Sequence, residues 1–147
     1  MYAKILVPVD GSATSNRGLT EAIAVAKVVG AKVRLVHIVN ELIIAPAYAA
    51  GAQSGQVIES MRAYGKGVLQ EAEKRVRDQG IEPESVMIES VGGPAGDLIV
   101  EQAAKWSAEL IVLGTHGRRG LKRMVLGSDA EHVVRHSNTP VLLVRAG

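Results

Sequence analysis

The 147-residue chain contains no cysteine. Disulfides, thiol catalysis and thiolate metal sites are therefore excluded, and the absence fits a reducing compartment. Phenylalanine is missing too, and aromatic residues make up only 3% of the chain. Val, Ile, Leu and Ala must then fill the interior. Such a core suits parallel strands covered on both faces, which read as continuous aliphatic runs. No apolar stretch reaches the roughly 18 residues that suggest a membrane-spanning helix. Nor does the start of the chain have a signal-peptide layout, because its apolar run ends at Pro8 and Asp10. A cytoplasmic location without membrane partners is the expectation. Charge of one sign is also lacking: 17 basic residues face 15 acidic ones, a net charge of +2. Bulk charge alone thus gives no reason to expect nucleic-acid binding.

What is present is an alternation. Tyr2–Val9, Lys32–Val39, Glu84–Val91, Glu109–Leu113 and Pro140–Arg145 are short aliphatic runs and read as strands. Between them lie helical stripes. Leu19, Ala22, Ile23 and Ala26 form the first, which Gly30 closes. A longer one begins at Val57 and ends near Gly80, and Leu98, Ile99, Ala103 and Trp106 mark a third. Ser128–His136 is a short fourth helix. The stretch from Asn40 to Gln56, rich in Ala, Gly and Pro, has no firm period and reads as a loop. Strands alternating with helices imply right-handed βαβ units. The predicted fold is a single α/β domain spanning residues 1–147, Rossmann-like. Its open parallel five-stranded sheet has the order 3-2-1-4-5, with helices on both faces.

In such a sheet, ligands lodge beyond the carboxyl ends of the strands where the chain order reverses. That point lies between strands one and four. Strand one ends in Pro8, Val9 and Asp10, followed by Gly11-Ser12; strand four ends in Leu113, Gly114, Thr115, His116 and Gly117. Two glycine-containing turns therefore meet at the expected crevice. Glycines at 114 and 117 allow main-chain amides to approach an anion without an intervening Cβ. Gly127-Ser128 opens the last helix, whose first amides lack partners and carry partial positive charge. Ser128 can also offer a hydroxyl to a phosphate. Arg118, Arg119, Lys122 and Arg123 stand in the same loop. Together these features describe a polyphosphate cradle. Taken singly, each glycine reads better as a turn and each cation as part of a solvated face. The combination at the switch point favours the ligand. Neither G-x-x-x-x-G-K-[ST] nor G-x-G-x-x-G after strand one is present, so the cradle belongs to neither standard phosphate motif.

The spacing Gly114-x2-Gly117-x9-Gly127-Ser128 resembles the nucleotide-binding motif of the universal stress protein family, in its ATP-binding branch. The resemblance extends to KILVPVDGS (Lys4 to Ser12), LVHIV (Leu35 to Val39), LIVLGTHGRRGLKRMVLGS (Leu110 to Ser128) and TPVLLVR (Thr139 to Arg145). It implies a dimeric stress-response or regulatory protein with ATP as its ligand. By position, Pro8, Val9 and Asp10 would border the adenosine, with Asp10 near the ribose or a Mg2+ ion. Ile38, placed after strand two, would meet the adenine through its main chain. Gly114, Gly117, Arg118, Gly127 and Ser128 would hold the phosphates. Asp129 follows Ser128; an acid suits a helix N-terminus, yet it repels a triphosphate unless it turns away or meets Mg2+.

Hydrolysis needs a positioned base and usually a metal. Asp10 is the first acid that can be placed near the phosphates, and Asp129 the second. Slow or absent ATPase activity is expected, a slow Mg-dependent ATP-hydrolysing enzyme being the alternative. His132 and His136 stand four apart, but H-V-V-R-H lacks the Glu of a zinc protease and any third ligand. They read as ordinary surface or core histidines, and His37, within an apolar strand, as a satisfied core residue. Single-stranded nucleic-acid binding through the four loop cations is disfavoured, since no aromatic stacking platform accompanies them. The last strand, Val141 to Val144, is apolar and falls at a sheet edge, which proteins rarely leave bare. Pairing with a second copy across a two-fold axis would cover it. A regulatory partner, unidentified, would read the bound state.

Overall fold

The computed structural model describes residues 1–40, 54–90, 92–115 and 126–146. The chain runs β1 (Lys4–Pro8), α1 (Ala13–Val29), β2 (Lys32–Asn40), α2 (Ser54–Asp78), β3 (Pro83–Ser90), α3 (Ala95–Trp106), β4 (Leu110–Gly114), α4 (Ser128–His136) and β5 (Val141–Val144). Every neighbouring strand pair is parallel, and the sheet order is β3-β2-β1-β4-β5. Both the order and the all-parallel sheet match the expectation drawn from the alternating pattern.

The central strands are buried on both sides, which is why they show no polar alternation. Ile5, Val7 and Val112 face one side, packing with Leu19 and Ala22 of α1 and Val76 of α2. Leu6 and Ile111 face the other, packing with Ile99 and Trp106 of α3 and Val133 of α4. Each fully buried aliphatic side chain contributes roughly 1.5–3 kcal/mol relative to exposure. The two half-cores leave β1 and β4 as the rigid spine on which the switch point stands.

Helix boundaries follow from local chemistry. Ser12 caps α1, its hydroxyl oxygen accepting the Ser15 amide at 3.1 Å. Gly30 ends the helix in the left-handed region at φ 72°, and its amide donates to the Ala26 carbonyl. Helix α2 begins at Ser54, three residues before the apolar stripe at Val57, so Ser54–Gln56 are helical and not loop as expected. The reason is visible in the burial: Gly55 and Gln56 are exposed, so the first turn leaves no apolar mark on the sequence. Asn40 closes β2 instead of opening the loop. Residues 41–53, the rest of that loop, and Val91 lie outside the described residues. Strand ends otherwise differ from the expectation by one or two residues, as fraying ends do. Among the described residues no helix is long and apolar enough to cross a membrane.

Candidate functional site

The crevice forms where β1 and β4, paired through Leu6 and Ile111, send their chains away from each other. On the β1 side the turn is tightly specified. The Val9 amide donates to the Val36 carbonyl at 2.8 Å, continuing the ladder one residue past the strand. The Asp10 amide donates to Ser15 Oγ at 3.0 Å, and Asp10 Oδ1 accepts the Ser12 amide at 2.9 Å. That last bond is an Asx-turn, which orders the approach to α1. Gly11 follows in the left-handed region at φ 83°, a conformation that favours glycine.

On the β4 side, Gly114 lies directly against the start of α1. A Cβ at this position would sit 2.7 Å from the Thr14 carbonyl carbon and oxygen. Gly18 of α1 repeats the closeness, since its own Cβ would lie 3.3 Å from the Gly114 nitrogen. Thr115 then ties two structures together. Its amide donates to the Val144 carbonyl of β5 at 3.0 Å, and its carbonyl accepts the Gly127 amide at 2.7 Å. The chain thus leaves β4 at Thr115 and is brought back beside it at Gly127, which caps α4.

The N-terminus of α4 is consequently held at the carboxyl end of β4. Gly127 offers no side-chain cap, and Ser128 at the first helical position is exposed. Asp129 and Glu131 supply negative charge in the first turn, which complements the positive end of the helix dipole. The terminus thus carries no side-chain cap from Gly127 and stands at the same end of the sheet as the Asp10 turn.

The expected site residues fall into three groups. Pro8, Asp10, Gly114, Thr115, Gly127, Ser128 and Asp129 stand on the two chains that border the crevice. Val9 and Leu113 are there only as main chain, because both side chains are buried, in opposite half-cores. His116, Gly117, Arg118 and Arg119, with Lys122 and Arg123, lie outside the described residues.

Ile38 requires a correction. It does not follow β2 but lies within it, opposite Ile88 of β3. In a strand, alternate residues turn their main-chain groups to the same edge. The Val36 carbonyl points to β1, so those of Ile38 point the same way, past Pro8, the last residue of β1 paired with β2. The main-chain groups of Ile38 therefore point to the β1 edge of β2, beyond the last residue of β1 paired with that strand.

Two residues that support the site carry no signal specific enough to have marked them in the sequence. His37 is buried and its Nδ1–H donates to the Val9 carbonyl at 2.8 Å, so the reading of a satisfied core histidine holds. Tyr64, expected only as part of a helical stripe, donates its hydroxyl to the Asp10 carbonyl at 2.9 Å. Both are distant in sequence from the turn they hold. His132 and His136 stack with ring centroids 4.2 Å apart, and His132 Nε2 bonds Asp97 of α3. Among the described residues no group of three or more metal-ligating side chains is assembled.

The family model described as "Universal stress protein family" matches residues 1–145. Universal stress protein MJ0531 of Methanocaldococcus jannaschii is 35% identical over 147 residues, with 99% of this chain and 83% of that protein covered. Among solved structures, that of hypothetical protein MJ0577 superposes with a TM-score of 0.84 at 28% identity, covering 99% of this chain and 96% of the other. A universal stress protein in complex with cAMP gives 0.69 at 28% identity, covering 99% and 98%. The universal stress protein from Archaeoglobus fulgidus in complex with dAMP gives 0.66 at 27%, covering 97% and 98%. Fold, length and sequence agree along the whole chain, and the chain belongs to the universal stress protein family.

Proposed function

We propose that this protein binds an adenine nucleotide, ATP, in the crevice between β1 and β4, and acts as a dimeric regulatory protein of the cytoplasm. The observation that carries the reading is the 2.7 Å bond from the Gly127 amide to the Thr115 carbonyl. It supports the reading by holding the N-terminus of α4, which has no side-chain cap from Gly127, at the carboxyl end of β4, the strand next to β1 and its Asp10 turn. Phosphates would sit at Gly127 and Ser128, with Arg118 and Arg119 as the further cations that the sequence motif offers them. Adenine would meet the main chain of Ile38. Structural neighbours in complex with cAMP and dAMP share the fold at similar identity, and both ligands carry adenine.

Mg2+ fits only as a companion of the nucleotide. Asp10 is the single carboxylate in the β1 turn, so phosphate oxygens and water would have to complete the coordination. The nucleotide is retained rather than consumed. Asp10 Oδ1 is committed to the Ser12 amide, an arrangement that orders the turn and does not prepare a base. Retention favours whichever state of the protein holds the ligand, by an amount set by nucleotide concentration over Kd.

The deciding experiment is titration calorimetry of the purified protein with ATP, ADP, AMP and cAMP, joined to mass analysis of any nucleotide carried through purification. Saturable binding of ATP, weakened in Ser128→Ala and Asp10→Asn, is the expected result. Absence of heat with all four nucleotides, and no nucleotide on extraction, would refute the proposal.

A further inference from the structure

Helix α2 reaches the β1 turn at two successive carbonyls, one of them through a residue of β2. The Val9 carbonyl accepts from His37 Nδ1–H, and the Asp10 carbonyl accepts from the Tyr64 hydroxyl. The His37 ring is itself covered by α2: a Cβ at Gly65 would lie 2.5 Å from His37 Cδ2 and 2.8 Å from Nε2. Adjacent residues of one helix therefore act on adjacent residues of one turn. Gly65 lets the helix close on His37, and Tyr64 reaches past it, its ring edge-on to the imidazole at 6.2 Å.

The contact is specific to the turn. A Cβ at Gly11 would meet the Tyr64 hydroxyl at 2.5 Å, so the phenol rests directly on the left-handed residue that follows Asp10. Yet 40% of Tyr64 is exposed. A tyrosine placed for core packing would bury its ring, whereas this one stays half in solvent while its hydroxyl holds a main-chain oxygen. Other polar ties between α2 and its surroundings are of a different kind. Arg62 pairs with Glu89 on β3, Glu73 accepts from Ser85 of β3, and Arg75 bonds Asn16 and Thr20 of α1; these three involve none of residues 9–12.

We propose that Tyr64 is a positioning residue for nucleotide binding: by holding the Asp10 carbonyl, its hydroxyl couples the docking of α2 to occupancy of the crevice. Removal of the hydroxyl frees the peptide after Asp10 to rotate and so loosens the Asx-turn that joins Asp10 Oδ1 to the Ser12 amide. The carboxylate then no longer has one orientation toward the ribose. Conversely, a nucleotide that fixes the turn strengthens the Tyr64 bond and steadies α2 around that residue, so occupancy is reported at the helix. The inference rests on binding at the Asp10 turn as proposed above.

The test uses the full chain with Tyr64→Phe, which removes one oxygen and keeps the ring. Nucleotide affinity is measured by calorimetry with ATP, and amide hydrogen exchange is followed across residues 9–12 and 58–66. A neutral hydrogen bond is worth about 1 kcal/mol net, so the variant should bind ATP about fivefold more weakly. In the wild type, ATP should slow exchange in both segments together. In Tyr64→Phe it should slow residues 9–12 but leave 58–66 unchanged, a separation that a merely structural tyrosine would not produce. Unchanged affinity with exchange still coupled would overturn the inference. If the wild type itself binds no ATP, the functional reading fails, and the clamp is judged without ligand. Faster exchange at residues 9–12 in Tyr64→Phe would then uphold it, and identical exchange would dismiss it.

Discussion

Replacement of Gly114 by alanine isolates one steric demand. The new Cβ would stand 2.7 Å from the Thr14 carbonyl carbon and oxygen and 2.9 Å from Thr14 Cβ. Carbon atoms rest at about 3.5–4.0 Å, so β4 and the start of α1 must part by roughly 0.8 Å. Neither side yields easily. Gly114 is paired with Val144 in the sheet, and Thr14 lies in the first turn of a helix whose cap is bonded into the β1 turn. Overpacking of this kind costs about 1–3 kcal/mol. For a domain of this size the melting temperature should fall by roughly 2–12 °C. Valine at the same position should cost more, so a loss of nucleotide binding in Gly114→Val would reflect folding as well as the ligand. The control is Gly67→Ala on the exposed side of α2, where a Cβ meets nothing within 4 Å. The same substitution there should stabilise by about 0.5–1 kcal/mol. Thermal melts of both variants by circular dichroism would decide the matter. A Gly114→Ala protein that melts with the wild type would refute the close approach of β4 to α1.

Three further outcomes are expected. Glu89 is held below its ordinary value of 4.5 by the hydrogen bond from Arg62, whose guanidinium is pushed up in turn. A depressed carboxylate stabilises above its unfolded pKa and loses that contribution as pH falls through the folded one. Glu89→Gln should therefore be less stable than wild type at neutral pH and indistinguishable below the carboxylate range, with a small, salt-sensitive difference because the pair is exposed; urea denaturation at several pH values checks it. Asp129→Asn removes a charge at the first turn of α4 and should tighten ATP binding about fivefold in EDTA, with a smaller gain in Mg2+, by calorimetry. Leu142 is 38% exposed at the centre of edge strand β5; Leu142→Lys should convert the proposed dimer to monomer in light scattering, and a monomeric wild type would end that part of the reading.

The fold was legible because its strands are central and its helices one-sided. Ile5 to Val7 and Leu110 to Leu113 are buried on both faces, so they appear as unbroken aliphatic runs. Helix α1 shows its stripe for the opposite reason: only Leu19, Ala22, Ile23 and Ala26 and their small neighbours reach the core. Where neither condition applied, the signal failed. Ser54 to Gln56 carry no apolar mark, and the helix there had to be seen. Ile38 was placed after strand two by the family resemblance, although the aliphatic run Lys32–Val39 already contained it, and the structure keeps it within β2. The supports of the turn were hidden more deeply. Tyr64 is 54 residues from Asp10 and His37 is 28 from Val9, and a hydroxyl or imidazole bonded to a main-chain carbonyl selects no particular residue at the other end.

The glycines show why a motif and a mechanism must be argued separately. Gly11 is required by conformation, since its φ is 83°. Gly114 has no such φ and is required by space, because Thr14 stands where its side chain would be. Both requirements exist whether or not a nucleotide ever binds. A glycine at position 114 is therefore explained by the packing of α1 on β4, and the same letter in the sequence cannot also count as independent support for a phosphate. What bears on the proposed ligand is the start of α4. Helix α4 starts without a side-chain cap, on an exposed serine, at the carboxyl ends of the strands. A helix kept only for its buried face, Ala130 and Val133, would gain about a few tenths of a kcal/mol from a serine or aspartate at the capping position that Gly127 occupies. Glycine there forgoes that small gain and brings no side-chain oxygen to the first turn of α4, so an anion bound at this end, as proposed, would displace no capping side chain of Gly127.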